Sequence, residues 1–561
     1  MKNHHLILIL IFIFSQHFLS GQSRPNIVFI LADDYGYMDM QAYAQHTLGT
    51  DKDKMYYETP NLDRLVKEGT AFTQAYANQL CSPTRASLLT GKYAARLGFT
   101  TATPATNTYY NQNKTIPEGY YPNDVLYHGD RINIQQPWIN GGSNTGIPAG
   151  TKYDNGKDEI SLAEALTDYH SAFIGKWHVG GHGAEGYQPG DQGFEPLAWF
   201  DAGGSVYFDW RDKWNDGSKT RFPDMPQKER TVGDAGKKTD HNYLTDDLTQ
   251  QAVDYLDERA KIKDQPFFLY FCHFAIHTPY QAKEEDIAYF ENKKTKGWNG
   301  HNDPVYASMI RGLDQSTGRI LDKLKETGLD ENTLIIFMSD NGGIDQDVSH
   351  NSIGTKNTPF LGGKACLTEG GIRVPLVFRW KGKVPENKWC NIPVDCTDIY
   401  PTILQFAGYD LDEYYNKIKI DGRSIRGLLH DVENKNGSYT KDTHYWHYPF
   451  NVIYKSPFDG LPLTPHSAIR ENEYKLIFDW YGRLHLFDME KDPYEKNNLA
   501  QQMPKKTDDL MAKLLSWLDE NIEDRYLPKL NPNYDPKKES RVESFVNLYE
   551  SYKKKLNQEK Y

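Results

Sequence analysis

Apolar runs alternate with helix-period segments along most of the chain. Residues 26–32 (NIVFILA) are almost continuously apolar, the pattern of a strand buried on both faces of a sheet. Residues 171–174, 266–274 (PFFLYFCHF), 333–339 (TLIIFMS) and 375–380 repeat it. Helical periodicity fills the gaps at 60–68, 162–168, 248–261 and 305–327. Strands alternating with helices predict an α/β fold on a large mixed, mostly parallel sheet flanked by helices. After about residue 427 the rhythm shortens. Alternating segments at 467–470, 474–479 and 484–488, then a helical one at 508–521, predict a smaller antiparallel sheet with one helix. The expected organisation is a leader at 1–21, an α/β domain at 24–427, an α+β subdomain at 428–530 and a charged helix or tail at 531–561.

Two stretches break the pattern. Residues 101–158 are rich in Tyr, Asn, Gly and Pro, and 203–242 are similar with added Trp and charge. Inserts this long inside a compact domain are usually functional. At the start, Lys2, His4 and His5 precede an apolar run over 6–14, and small residues follow near 20–21. This is the pattern of a signal peptide, and the run is too short to span a bilayer. An N-terminal anchor is the alternative. No later segment approaches 18 apolar residues. The mature chain is therefore expected to have no membrane span and to be exported to the periplasm, the cell surface or the medium.

Composition narrows the picture. The chain has 64 Lys and Arg against 76 Asp and Glu, a net charge of −12. That balance argues against nucleic-acid partners, although a local cationic pocket still admits an anionic substrate. With 11 Trp, 25 Phe and 38 Tyr the chain is too aromatic for disorder. The five cysteines are Cys81, Cys272, Cys366, Cys390 and Cys396, too few for a disulfide scaffold. Their odd number marks one for another fate. Cys390 and Cys396 either pair or stay as buried thiols; Cys272 reads as core.

The chemistry gathers at strand ends. The first strand runs into Asp33-Asp34 and the 333–339 strand into Asp340-Asn341. Such oxygen ligands suit Ca²⁺ or Mg²⁺, and the absence of His or Cys among them disfavours zinc. In Cys81-Ser82-Pro83-Thr84-Arg85, Ser82 is a good N-cap, Pro83 fits the first helical position and Gly91 fits the stop. Cys81 is then at a helix N-terminus, which favours anions, with Arg85 one turn further on. Lys176 and His178 follow the 171–174 strand, while His273 falls near the end of the 266–274 run and His277 just after it. Gly362-Gly363-Lys364 brings a second lysine on a glycine-lined loop. Oxygen ligands beside cations and imidazoles make a site for an oxyanion, which fits hydrolysis of a sulfate or phosphate ester.

The stretch Cys81-Ser82-Pro83-Thr84-Arg85 resembles the maturation signature Cys-x-Pro-x-Arg of the formylglycine-dependent type I sulfatases, in the alkaline phosphatase superfamily. RPNIVFILADDYGYMD, GKWHVG, FAIHTP, SDNGG and GGKACLTEGGIRVP resemble further blocks of that family, in its order, over roughly residues 24–500. The resemblance implies an alkaline phosphatase-like fold and a Cys81 oxidised to formylglycine by a sulfatase-maturation enzyme. The formylglycine hydrate is then the nucleophile. Asp33, Asp34, Asp340 and Asn341, with the modified Cys81, are implied to bind Ca²⁺, with Mg²⁺ as fallback. Arg85 would hold the modified side chain, and Lys176 and Lys364 would bind sulfate oxygens. His277 or Lys364 would protonate the leaving alcohol, and His178 would help collapse the sulfated hemiacetal. The inserts leave the substrate open. A sulfated carbohydrate is expected, whether an algal polysaccharide such as ulvan, fucoidan or carrageenan or a glycosaminoglycan. A phosphodiesterase or phosphonate hydrolase of the same superfamily, or a non-catalytic glycan-binding protein, are the rival readings.

Overall fold

The computed structural model describes residues 24–102, 137–139, 159–180, 187–201, 203–210, 242–346, 354–450, 452–539 and 545–559. The expected leader at 1–21 and most of the two inserts lie outside the described residues. In chain order the strands are β1 (Asn26–Ala32), β2 (Thr70–Tyr76), β3 (Trp138–Ile139), β4 (His170–Lys176), β5 (Glu195–Phe200), β6 (Phe267–Cys272), β7 (Thr333–Ser339) and β8 (Arg373–Arg379). There follow β9 (Lys388–Cys390), β10 (Val394–Asp395), β11 (Thr443–Tyr448), β12 (Val452–Lys455), β13 (Pro462–Leu463), β14 (His466–Glu471), β15 (Tyr474–Asp479), β16 (Arg483–Asp488) and β17 (Lys529–Leu530).

Among the described residues the main sheet has nine strands, ordered β10-β2-β8-β7-β1-β6-β4-β5 with β9 also on β2. β8 alone runs against the rest. The run NIVFILA explains itself here. Ile27, Phe29 and Leu31 enter one core, and Val28, Ile30 and Ala32 enter the core on the other face. A strand covered on both sides has no polar face to show, so the alternation vanishes. The helices Pro60–Lys67, Leu244–Arg259 and Pro304–Thr327 put apolar side chains into the second core; Cys81–Thr90 and Ile399–Phe406 put theirs into the first.

The sequence expectations hold for the long apolar runs and fail for weaker ones. The 162–168 segment is helical only over Leu162–Ala165. β2, β5 and β11 were not visible as patterns. Cys390 and Cys396 do not pair: all five cysteines are free and buried. The Cys390 thiol donates to the Val432 carbonyl at 3.3 Å.

A smaller antiparallel sheet, β11-β14-β15-β16, packs against the helix Pro504–Asn521. Its other face meets Tyr76 at the end of β2 and the Leu367–Ile372 segment. A buried ion cluster stitches this contact. Lys475 Nζ lies 2.9 Å from Glu369 Oε1 and 2.8 Å from Glu495 Oε1, with all three side chains fully buried. The Glu369 backbone N–H donates to Glu495 Oε2 at 2.7 Å, and the Tyr76 hydroxyl donates to Glu369 Oε2 at 2.9 Å. Removing one partner from such a cluster strands a charge, at about 3–5 kcal/mol. Lys475→Met is therefore expected to lower the urea midpoint of unfolding sharply; an unchanged midpoint would show that the cluster holds nothing together.

Candidate active site

Parallel neighbours bring distant residues to one edge of the sheet. Ala32 pairs with Ser339, so the Asp33-Asp34 and Asp340-Asn341 turns emerge side by side from β1 and β7. Leu31 pairs with Cys272 and Gly175 with Cys272, which sets the 273–278 turn and Lys176 beside them. β8 is antiparallel, so its start, preceded by Lys364, lies at the same edge. β2 also ends there and leads to Cys81. Sites in open α/β sheets form at this edge.

Three carboxylates meet three cations in a buried cluster. Lys176 Nζ is 2.6 Å from Asp33 Oδ2, and Lys364 Nζ is 2.7 Å from Asp34 Oδ1. Arg85 donates Nε and Nη2 to Asp340 Oδ2 at 3.0 and 2.7 Å, and Nη1 to the Lys176 carbonyl at 2.8 Å. Arg85 thus fastens Asp340 and β4 together. Asp340 Oδ1 accepts the Asp34 N–H at 3.1 Å, and Asn341 Nδ2 donates to Asp34 Oδ1 at 2.7 Å. Asp34 and His178 hold positive φ, 58° and 59°. A residue other than glycine in this region costs of order 1–3 kcal/mol, strain typical of functional sites.

Charge and burial compete here. Burial, first, pushes the Asp33 carboxyl well above the usual carboxylate range; Lys176 opposes it while Asp340 and Asp34 add to it. Burial acts upward on Asp34 too, but Lys364, His277 and Lys176 outweigh it and hold that carboxyl below its ordinary value.

The helix Cys81–Thr90 begins at Cys81 itself and stops at Gly91 in the left-handed conformation. Ser82 is not its N-cap: the Ser82 hydroxyl donates to the His178 carbonyl at 2.7 Å. Cys81 Sγ is 3.4 Å from His178 Nδ1. Burial pushes the Cys81 thiol up. An apolar wall of Leu80, Ala365, Cys366, Tyr448, Phe450 and Tyr454 backs the cysteine, so the C-terminal part of the chain contributes to its surroundings.

His277 Nδ1 lies 2.7 Å from the Thr278 carbonyl, which can only accept, so Nδ1 carries the proton. Nε2 then turns to the cluster, 3.6 Å from Asp34 Oδ2. Burial first, then Lys364, pulls this imidazole down to about 3. His273 is elsewhere: its Nε2 faces the Ser316 hydroxyl at 3.2 Å inside the core.

The donors fit a divalent cation. Asp33 Oδ1 and Asn341 Oδ1 are buried without a hydrogen-bond partner. A buried oxygen left so is costly unless something else fills its lone pairs. Ligand atoms of Asp33, Cys81 and Asp340 lie within 4.8 Å of one another, as do those of Asp33, Asp34 and His277. The site therefore unites Asp33, Asp34, Cys81, Arg85, Lys176, His178, His277, Asp340, Asn341 and Lys364, while His273, also singled out from the sequence, lies outside it.

A family model described as Sulfatase matches residues 25–409. The chain belongs to the sulfatase family. This sulfatase is a sulfuric ester hydrolase. A second model, described as the C-terminal part of N-sulphoglucosamine sulphohydrolase, matches residues 362–524. A sulfatase of Formosa agariphila is 29% identical over 90% of this chain and 91% of its own. An N-acetylgalactosamine-6-sulfatase of Canis lupus familiaris is 29% identical over 68% of this chain and 62% of that one. The crystal structure of Ps i-CgsB in complex with k-i-k-neocarrahexaose has a TM-score of 0.67 and 28% identity, covering 90% of this sulfatase and 94% of that chain. Among the described residues no helix is long and apolar enough to cross a membrane.

Proposed function

We propose that this sulfatase is exported and hydrolyses sulfate esters of a sulfated carbohydrate, with Cys81 carried as formylglycine and Ca²⁺ held by Asp33, Asp34, Asp340 and Asn341. The observation that carries the reading is the pair of buried, unpartnered oxygens, Asp33 Oδ1 and Asn341 Oδ1, in the cluster that also holds Cys81 at a helix N-terminus. A divalent cation there supplies charge to a sulfate oxygen and to the nucleophile, and the oxygen set favours Ca²⁺ over Mg²⁺. The aldehyde hydrate supplies two hydroxyls, one to attack sulfur and one to expel sulfate afterwards, where a plain cysteine or serine would stay esterified. Its formation needs a sulfatase-maturation enzyme, which removes the thiol sulfur and two electrons.

The chain's own residues do the rest. Lys176 and Lys364, at the rim of the carboxylates, bind the remaining sulfate oxygens. Arg85 holds Asp340 in place through two hydrogen bonds to Oδ2. His178, 3.4 Å from the Cys81 sulfur, takes the proton from the second hydroxyl. A carbohydrate substrate is supported by the likeness to a structure that holds neocarrahexaose and to N-acetylgalactosamine-6-sulfatases. The test is sulfate release from purified ulvan, fucoidan, carrageenan and glycosaminoglycan oligosaccharides by protein bearing the aldehyde. Release from at least one is expected, with aryl phosphate far slower than aryl sulfate. No release from any carbohydrate, or faster phosphate turnover, would remove the reading.

His277 is assigned the general acid. Burial and Lys364 favour its neutral ring, while an anionic sulfate against Nε2 would favour the charged one. His277→Ala is expected to slow a sugar sulfate, with its basic alkoxide leaving group, about 10²–10⁴-fold more than an activated aryl sulfate. Equal losses on both substrates would shift the acid to Lys364.

A further inference from the structure

The segment after β5 touches the site in a way the sequence does not announce. Gly203 and Gly204 lie against both imidazoles. A Cβ on Gly203 would stand 3.2 Å from His178 Cε1 and Nε2. A Cβ on Gly204 would stand 2.7 Å from His277 Nδ1, 2.9 Å from its Cε1 and 3.0 Å from the Thr278 carbonyl. Neither glycine has a positive φ. Their lack of a side chain serves close approach, not a turn.

The contacts are specific to the edges of the rings. Gly204 lies over the edge that carries the Nδ1–H bond to Thr278, and leaves Nε2 turned to Asp34. Gly203 covers the Nε2 edge of His178 and leaves Nδ1 turned to the Cys81 sulfur. The segment is itself pinned. The Tyr207 hydroxyl reaches the Phe274 carbonyl at 2.6 Å and the His277 carbonyl at 2.9 Å. The Tyr207 N–H donates to Gln281 Oε1 at 2.8 Å. One short segment is therefore anchored to the turn that carries His277, and its two glycines lie beside the ring atoms of His178 and His277 that are turned away from Cys81 and Asp34.

We propose that Gly203 and Gly204 are positioning residues that seat His178 and His277, Gly204 by protecting the Nδ1–Thr278 bond that aims Nε2 into the site. The proposal rests on the assignment of His277 as general acid only for the kind of loss expected, not for the coupling. Any side chain at 204 presses on that hydrogen bond. The ring must turn or the Tyr207 anchor must shift, and a displacement near 1 Å costs about 10²-fold in rate.

The test is a mutant cycle on protein of equal aldehyde content. Gly204→Ala is expected to lower kcat on a sugar sulfate about 10²-fold with KM little changed. It should cost nothing further when placed in His277→Ala, because the ring it displaces is gone. Gly203→Ala, with a contact 0.5 Å looser than Gly204 by the same distances, should cost less and act additively with His277→Ala. Additive losses for Gly204→Ala and His277→Ala would overturn the proposal. So would full activity of Gly204→Ala. If Gly204→Ala lowers the melting temperature so far that it is not folded, Tyr207→Phe, which removes only the hydroxyl anchor, takes its place: it must reproduce the substrate pattern of His277→Ala, and a pattern unlike that of His277→Ala overturns the proposal. Should His277→Ala slow sugar and aryl sulfates equally, the acid assignment fails, yet Gly204→Ala must still copy that pattern and remain non-additive.

Discussion

Cys81→Ala is expected to lower sulfate-ester turnover by about 10⁵-fold or more, the scale seen when a covalent nucleophile is removed. Protein made without a maturation enzyme should behave nearly as badly, although its sequence is unaltered. The reason lies in where Cys81 sits. It is buried at the first turn of its helix, 2% exposed, with His178 Nδ1 3.4 Å from its sulfur. A cysteine beside a histidine invites a rival mechanism in which the thiolate itself attacks. Sulfur bearing a sulfo group would have no second hydroxyl through which to expel it, and the enzyme would stop after one turnover. Mass spectrometry of the peptide containing residue 81 separates the two mechanisms. Across preparations, turnover is expected to scale with the fraction of aldehyde and to survive a thiol alkylating reagent. Full turnover from protein that carries only the thiol, lost on alkylation, would establish the thiolate mechanism instead.

The parts of this molecule that could be read from its sequence share a physical cause. β1 and β7 are buried on both faces, so every position is constrained and the apolar run is unbroken. The site residues directly follow such strands, which is why Asp33, Asp34, Asp340 and Asn341 stood out as groups. β2 (TAFTQAY) and β5 (EPLAWF) carry polar residues or proline inside the run, and β11 (THYWHY) mixes polar and aromatic residues without alternation and has no aliphatic residue. No local pattern separates these from loops. Contacts between distant segments are harder still. Arg85 was expected to hold the modified cysteine; in the structure two of its N–H groups go to Asp340, 255 residues away, and a third goes to the Lys176 carbonyl. The Glu369–Lys475–Glu495 cluster and the glycines against His178 and His277 are likewise products of tertiary packing. A lysine in a β-strand, or a pair of glycines in an insert, carries no mark of its partner.

Asp340→Ala should abolish turnover and also weaken the fold, and the two effects can be separated. Asp340 is fully buried and is the carboxylate partner of Arg85, itself 1% exposed. Deleting the carboxylate leaves a guanidinium in the interior with no counter-charge, a loss of about 3–5 kcal/mol. A dead Asp340→Ala protein is therefore ambiguous by itself. Asp340→Asn keeps the volume and an oxygen that accepts from Arg85 or from the Asp34 N–H, but gives up the charge a divalent cation needs. It should fold, with a melting temperature closer to wild type than that of the alanine variant, and still lose about 10²-fold or more in turnover. Calcium itself supplies the independent readout. A ligand that binds only the native state at 100 times its Kd stabilises it by about 2.7 kcal/mol. Wild-type protein stripped with a chelator should regain melting temperature as Ca²⁺ is added back, whether or not Cys81 has been oxidised. Asp340→Asn should show little of that rise. If stripped wild-type protein kept both full turnover and an unchanged melting temperature, and Ca²⁺ moved neither, then Asp33, Asp34, Asp340 and Asn341 would be a lysine- and arginine-paired cluster and nothing more, and the sulfate would have to be held by Lys176, Lys364 and the helix N-terminus alone.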